Sequence, residues 1–401
     1  IIRKLAKSNN QITKLESKNQ ELELNLEDTK KELLSKIVEI ESKSESRITD
    51  VSQSLSNKTL WGIIAFLSAI ILSAFLFWLF DKRQKLEKIE LKFPMKKSLL
   101  IIISLISIGN FAQEKPKLVV GIVVDQMKME YLYRFSSDFS ENGFKRLMRE
   151  GYTFHNTHYN YMPTYTAPGH ATVYTGTTPS VHGIVGNDWF NKATGKEMYC
   201  TDDESVSTLG DDSVNEGKMS PRNLQSSTMT DELKLSTNLK GKVIGISIRD
   251  RGAILPAGHF ADWAFWYSKT GAFISSTYYG EKLPDWATQF NAEKNYLKYL
   301  AKGWDLLKPK ETYNESLTDN NPYEGKLYKK APFMPYNLQD MYEANDAGVL
   351  RSTPFGNNLL ADFAKKAIES ENLGKDNITD FLAVSFSSTD YVGHTFGPRS
   401  M

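Results

Sequence analysis

Hydrophobic and polar positions change period along the chain, and each change predicts a different kind of element. Over residues 1–58, Ile12, Leu15, Asn19, Leu22, Leu26, Thr29 and Leu33 alternate spacings of three and four, and Ile48, Val51 and Leu55 resume the pattern after a break near Ile37 and Ile40. That period predicts a coiled coil able to self-associate, with Asn19 as a register-fixing polar position; a single solvated, charge-laced helix is the alternative. Residues 59–80, TLWGIIAFLSAIILSAFLFWLF, carry no charge. At ~1.5 Å per residue they reach about 33 Å, enough to cross a bilayer core. Trp61 and Trp78 stand near the two ends, as interfacial aromatics do. A transmembrane helix is expected there, followed by a basic linker over 81–94 whose Lys82, Arg83, Lys85 and Lys88 favour the cytoplasmic side.

Residues 95–112 have a Met, two lysines, an apolar run and a small residue, Ala112, before Gln113. This is the layout of a secretory signal peptide. Two accounts place it so far along the chain: two neighbouring reading frames joined at Met95, or an anchor that crosses the membrane twice. Either puts the remainder outside the cytoplasmic membrane, periplasmic or extracytoplasmic, and membrane-anchored if residues 1–94 belong to it.

From Lys117 the pattern becomes short apolar runs alternating with helical spacing. KLVVGIVV (117–124), KVIGISI (242–248) and FLAVSF (381–386) read as buried strands. A helix is expected over roughly 137–150, with Phe144, Leu147 and Met148 on one face. Another is expected over 356–370, with Leu359, Leu360, Phe363, Ala367 and Ile368 at helical spacing. Between them, Met162 to Gly176 reads as a loop entering a helix: Thr166 at the turn, Pro168 in the first turn, Gly176 as the stop. The segment 177–190, TTPSVHGIVGNDWF, follows. The predicted fold is α/β, a largely parallel sheet sandwiched by helices over 113–401, preceded by the coiled coil and the transmembrane helix. The aromatic, loop-rich span 255–345 reads as an inserted subdomain over the site.

Composition narrows the function. Lys and Arg total 49 against 48 Asp and Glu, a net charge of +1, which gives no nucleic-acid footprint. Cys200 is the sole cysteine, so an intrachain disulfide and a cysteine-based zinc site are excluded. The 401 residues allow two or three domains.

In open α/β sheets ligands bind beyond the carboxyl ends of the strands. Asp125, Arg249, Arg251 and Asp390 fall just past such ends, and His394 follows Asp390 by four residues. Asp125 and Asp390 are hard oxygen ligands, and Asp390 with His394 offers an oxygen and a nitrogen to one divalent ion, zinc ahead of manganese. Thr166 at a helix N-terminus sits where negative charge is favoured, and a metal would lower its pKa. Asn187, Arg249 and Arg251 can bind non-bridging phosphate oxygens. Each has a plainer reading: Thr166 as a helix cap, the aspartates as turn residues, Arg249–Arg251 as a surface ion-pair cluster. His170, His182 and His259 read as structural.

VVDQM, PTYTAPGHATVYTG, PSVHGIVGNDW, RDRGAILPAGH and STDYVGHTFGP, in this order, resemble the alkaline phosphatase superfamily over about 113–401. They look most like the PafA-type, phosphate-irrepressible alkaline phosphatases, relatives of the type I phosphodiesterase/nucleotide pyrophosphatases. The resemblance implies two zinc ions, one site tolerating another divalent ion. Asp125 and Thr166 would be ligands of one, Asp390 and His394 of the other. Thr166 would be the nucleophile, and Asn187, Arg249 and Arg251 would hold a phosphate ester. It implies phosphate monoester hydrolysis through a phosphothreonine; hydrolysis of diesters or nucleotide pyrophosphates is the alternative. Two departures stand out. Arg249 occupies a position usually Lys in this type, and the downstream Asp-His pair and distal His that complete both metal sites have no counterpart before Met401, so the chain as it stands is expected to be nearly inactive. Residues 1–94 resemble small flavobacterial coiled-coil membrane proteins, and a catalytically dead membrane-tethered coiled-coil protein is the reading from another class.

Overall fold

The computed structural model describes residues 115–330 and 333–401. The expected coiled coil, transmembrane helix, basic linker and signal-like segment lie outside them. Among the described residues no helix is long and apolar enough to cross a membrane.

The three apolar runs form the adjacent strands β1 (Leu118–Val124), β5 (Val243–Ser247) and β8 (Asp380–Phe386). With β4 (Thr208–Leu209), β6 (Trp263–Tyr267) and β7 (Phe273–Ser276) they make a sheet of order β1-β8-β5-β6-β7-β4. β1, β8, β5 and β6 run parallel, while at the far edge β7 is antiparallel to β6 and β4 antiparallel to β7. A separate hairpin pairs β2 (Asp188–Asn191) with β3 (Lys196–Tyr199).

Parallel strands need covered faces, and the helices supply them unevenly. In chain order they are α1 (Glu130–Arg134), α2 (Phe144–Glu150), α3 (Thr166–Thr175), α4 (Pro179–His182), α5 (Met229–Ser236), α6 (Asp250–Ala257), α7 (Asp285–Ala292), α8 (Tyr296–Leu300), α9 (Leu338–Ala344), α10 (Pro354–Ser370) and α11 (Ser388–Phe396). α10 buries Leu359, Leu360, Phe363 and Ala367, the stripe its spacing predicted. Phe363 stacks on Phe273 at 3.9 Å between ring centroids and packs edge-on against Phe265.

Three expectations shift. The run 117–124 is not buried throughout: among the described residues β1 is an edge strand whose Val120 and Ile122 are 44% and 57% exposed. The helix expected over 137–150 is confined to Phe144–Glu150, with Leu147 and Met148 exposed; the preceding Ser, Asp, Asn and Gly residues favour turns. Within the span 255–345, read as an insertion, β6 and β7 are strands of the main sheet. Phe265, Tyr267 and Phe273 share one core cluster with Phe363 and Leu382.

Candidate active site

The site residues gather at the carboxyl ends of the parallel strands. Asp125 follows β1 directly, its N–H bonded to Phe386 O at 3.0 Å, which ties it to the end of β8. The chain then turns sharply through Gln126, at a positive φ of 56°. Gln126 packs against Gly393 of α11 so closely that a Cβ there would overlap its Oε1. Gly393 thus lets the turn after β1 approach the helix that carries Asp390 and His394.

Thr166 is the first residue of α3, not its cap. Tyr165 occupies the cap position and makes no side-chain cap bond, while Gly176 ends the helix in the left-handed region. The Thr166 hydroxyl instead donates to Asp125 Oδ2 at 3.1 Å. The ordinary N-cap role is therefore absent. One residue on, Ala167 N–H donates to Asn187 Oδ1 at 2.9 Å. That bond orients the amide and leaves Asn187 Nδ2 as a donor beside the start of α3. His170 ties the first turn of α3 to β8. Its Nδ1 must donate to Thr166 O (2.7 Å), and burial lowers its pKa, so its Nε2 accepts from Ser385 Oγ (2.7 Å).

Arg249 caps α6 and forms an ion pair with Asp390 while lying 4.1 Å over the Tyr391 ring. Asp390 is buried in the first turn of α11, and its Oδ1 is 3.3 Å from His394 Nε2. Burial raises the Asp390 pKa and the nearby Asp125 raises it further, against the lowering by Arg249. Two carboxylates, with a hydroxyl on Asp125 and an imidazole by Asp390, are donors of the kinds zinc takes. They match in kind. In number each pair offers two donors where catalytic zinc takes three from protein, and among the described residues no group of three His, Cys, Asp or Glu side chains could hold a metal.

Arg251 is buried and donates through Nη1 to Tyr199 OH at 2.6 Å; Tyr199 OH donates in turn to Asp250 Oδ1 at 2.6 Å. Burial works against its charge, but the Tyr199 and Asp250 oxygens prevail and raise its pKa. Arg249, Arg251, Tyr199 and Asp250 line a cleft of about 240 Å³; Thr166 and Asp125 lie outside its lining.

The model of the type I phosphodiesterase / nucleotide pyrophosphatase family matches residues 119–401. The chain belongs to this family. Alkaline phosphatase PafA of Elizabethkingia meningoseptica is 51% identical over 293 residues, covering 72% of this chain and 54% of that protein. A Myroides odoratus protein named calcium-transporting ATPase is 53% identical over 292 residues, 72% of this chain and 53% of its own. Alkaline phosphatase PhoV of Synechococcus elongatus is 50% identical over 289 residues, 72% and 52% respectively. The crystal structure of wild-type PafA matches with a TM-score of 0.70 at 51% identity, over 71% of this chain and 55% of that one. The mixed α/β fold with its mostly parallel sheet is thus shared with PafA. The chain spans about half the length of the curated relatives it matches.

In this family member the structure brings Asp125 to Thr166, Asn187 to the start of α3, and Arg249 and His394 to Asp390. Arg251 stands apart on Tyr199. His182 and His259 are engaged by protein partners: His182 with Thr172 and the Ile184 N–H, His259 with Asp231 and Leu224 O. Tyr199 and Asp250, which orient Arg251, were not singled out by sequence reasoning. Tyr199 ends a hairpin strand with no motif, and Asp250 was read only as a member of the Arg249–Arg251 cluster.

Proposed function

We propose that this protein is an extracytoplasmic, zinc-dependent phosphate monoesterase that works through a phosphothreonine. The observation that carries the reading is the Thr166 hydroxyl bonded to Asp125 at the first turn of α3, with Asn187 held beside it. Family membership supports phosphoester hydrolysis. The signal-like segment 95–112 supports the location.

Asp125 and Thr166 would hold one ion, Asp390 and His394 the other. When bound, zinc supplies a lowered pKa at the Thr166 hydroxyl and offsets the charge of the two carboxylates. Thr166 Oγ attacks phosphorus as its proton passes to water, and the ester P–O bond breaks with the electron pair leaving on the alcohol oxygen, which takes a proton from water. Asn187 Nδ2 and the guanidiniums of Arg249 and Arg251 stabilise the charge on the transferred group. Water then attacks the phosphothreonine, releasing phosphate and restoring the hydroxyl. Two cationic side chains suit a dianionic monoester better than a diester.

The full gene product, supplied with zinc, is expected to hydrolyse p-nitrophenyl phosphate faster than its bis ester. Thr166→Ala is expected to lower kcat on the order of 10⁴-fold or more, with Thr166→Ser retaining turnover. Undiminished activity in Thr166→Ala overturns the assignment; faster bis-ester hydrolysis moves it to a phosphodiesterase. Absence of metal uptake, with crosslinking through residues 1–58, would leave the membrane-tethered scaffold.

A further inference from the structure

The cleft beside the site is lined by a third arginine. Arg351 lies in the 3₁₀ turn Ala347–Ser352. It shares the cleft with Arg249, Arg251, Glu216 and the rings of Trp266 and Tyr267. Part of its guanidinium is structural: Nη2 donates to Tyr267 O at 2.8 Å, holding the end of β6, and lies 3.5 Å from Glu216 Oε2. Nη1 has no partner among the described residues, and Nε is buried without one.

Arg249 and Arg251 show the same pattern. Each spends one terminal nitrogen on the protein, on Asp390 and Tyr199 respectively, and keeps a buried, unpartnered Nε. Leaving buried donors unmet costs free energy, and such groups are under-satisfied until an acceptor arrives. Each guanidinium has a carboxylate near it, Asp390 by Arg249, Asp250 by Arg251 through Tyr199, and Glu216 by Arg351, and the Arg351–Glu216 contact is a loose one at 3.5 Å. The cleft volume of about 240 Å³ is the liquid space of about eight waters. That is room for one ring or a short chain ending in an anion.

We propose that Arg351 is a specificity residue, forming with this cleft a subsite for a second anionic group, carboxylate or phosphate, borne on the alcohol side of the ester. The proposal rests on the monoesterase reading, because Arg249 and Arg251 then hold the scissile phosphate and its substituent extends along the cleft they share with Arg351. The Trp266 and Tyr267 rings flank that substituent, and Glu216, 3.5 Å from the guanidinium, competes with the incoming anion.

The test is calorimetric binding to the full-length protein supplied with zinc, with phenylphosphonate and 4-phosphonobenzoate as probes that cannot turn over. Wild type is expected to prefer 4-phosphonobenzoate. Arg351→Met should weaken that ligand at least about tenfold while phenylphosphonate stays within about twofold. Glu216→Gln should strengthen 4-phosphonobenzoate about two- to fivefold, a reading that survives if Arg351→Met fails to fold. 1,4-Phenylenebisphosphonate in place of the carboxylated probe tells a phosphate from a carboxylate preference. Equal loss of both ligands in Arg351→Met, or no preference in wild type and none gained in Glu216→Gln, overturns the subsite with the phosphate site intact. Failure of wild type to bind either phosphonate overturns the monoesterase reading and the subsite together.

Discussion

Strands β5 and β1 flank β8 in the same register, so that Gly245 and Gly121 both stand opposite Ala383. Each delivers a site residue just past its end, Arg249 in one case and Asp125 in the other. β5 is buried at every position and passes into α6, where every residue from Arg251 to Ala257 is buried. β1 has an exposed face and passes into α1 and α2, which bury none of theirs. The glycines show the difference at atomic scale. A Cβ on Gly245 would meet the backbone oxygen of Ala253 and, at 2.8 Å, Ala257 Cβ. A Cβ on Gly121 would meet the tip of Tyr174 at 2.5 Å and the Phe381 ring at 3.0 Å. A helix backbone cannot yield, whereas the end of a tyrosine can. Among the described residues, one half of the site is therefore set in packed core, and the other is mounted on an edge.

The hardest trial of this contrast is large-to-small substitution. Ile246→Ala in β5, at a fully buried side chain, should cost about 2–5 kcal/mol. Ile122→Ala in β1 should cost under about 1 kcal/mol, since most of its side chain is already in water. Chemical denaturation of both variants measures the pair, and equal losses would break the comparison. Next in size, Gly245→Ala should destabilise by about 1–3 kcal/mol or more through overpacking, and Gly121→Ala by less, with Tyr174 moving aside; thermal melts of the two rank them.

The smallest effect concerns the segment that follows α6. Asp231 is fully buried and accepts from the N–H groups of His259 and Phe260 and from His259 Nδ1. The bond to Asp231 raises the His259 pKa above its ordinary value despite opposing burial. A raised folded-state pKa means stability that is fully present below about pH 6.5, the unfolded value, and lost as pH rises through the higher folded one. The Tm gap between wild type and His259→Gln should therefore be wider at pH 5.5 than at pH 8.5. A gap independent of pH would show that the pair contributes as a neutral hydrogen bond alone.

Much of this was legible in the sequence, for physical reasons. Runs such as VIGIS and FLAVSF need two covered faces, and the first residues past them were marked as site candidates by position. The Leu359–Phe363–Ala367 stripe announced α10 because a helix must bury one face. What escaped was relational. LVVGIVV is as apolar as a central strand, and nothing in it says that neighbours cover only one side. β6 and β7 were hidden because WAFWY and FISS lie in a stretch rich in aromatics and turn residues, where strand and loop composition overlap. Arg351 follows AGVL in a 3₁₀ turn with no period to flag it, and its place in the cleft depends on the sheet bringing Tyr267 alongside.

The contact between Gln126 and Gly393 is a soft filling between the turn after β1 and α11. The spacing between the two halves of the site, Asp125 on one side and Asp390 with His394 on the other, is set by the β1–β8 pairing and the Asp125 N–H bond to Phe386 O, and the bare Cα of Gly393 leaves room for the Gln126 amide between them. A contact of this kind carries no charge and has no strength to lose with pH or salt. A side chain at position 393 would first meet the Gln126 amide, the far end of a flexible chain, so that amide would swing aside while every charged group stayed in place.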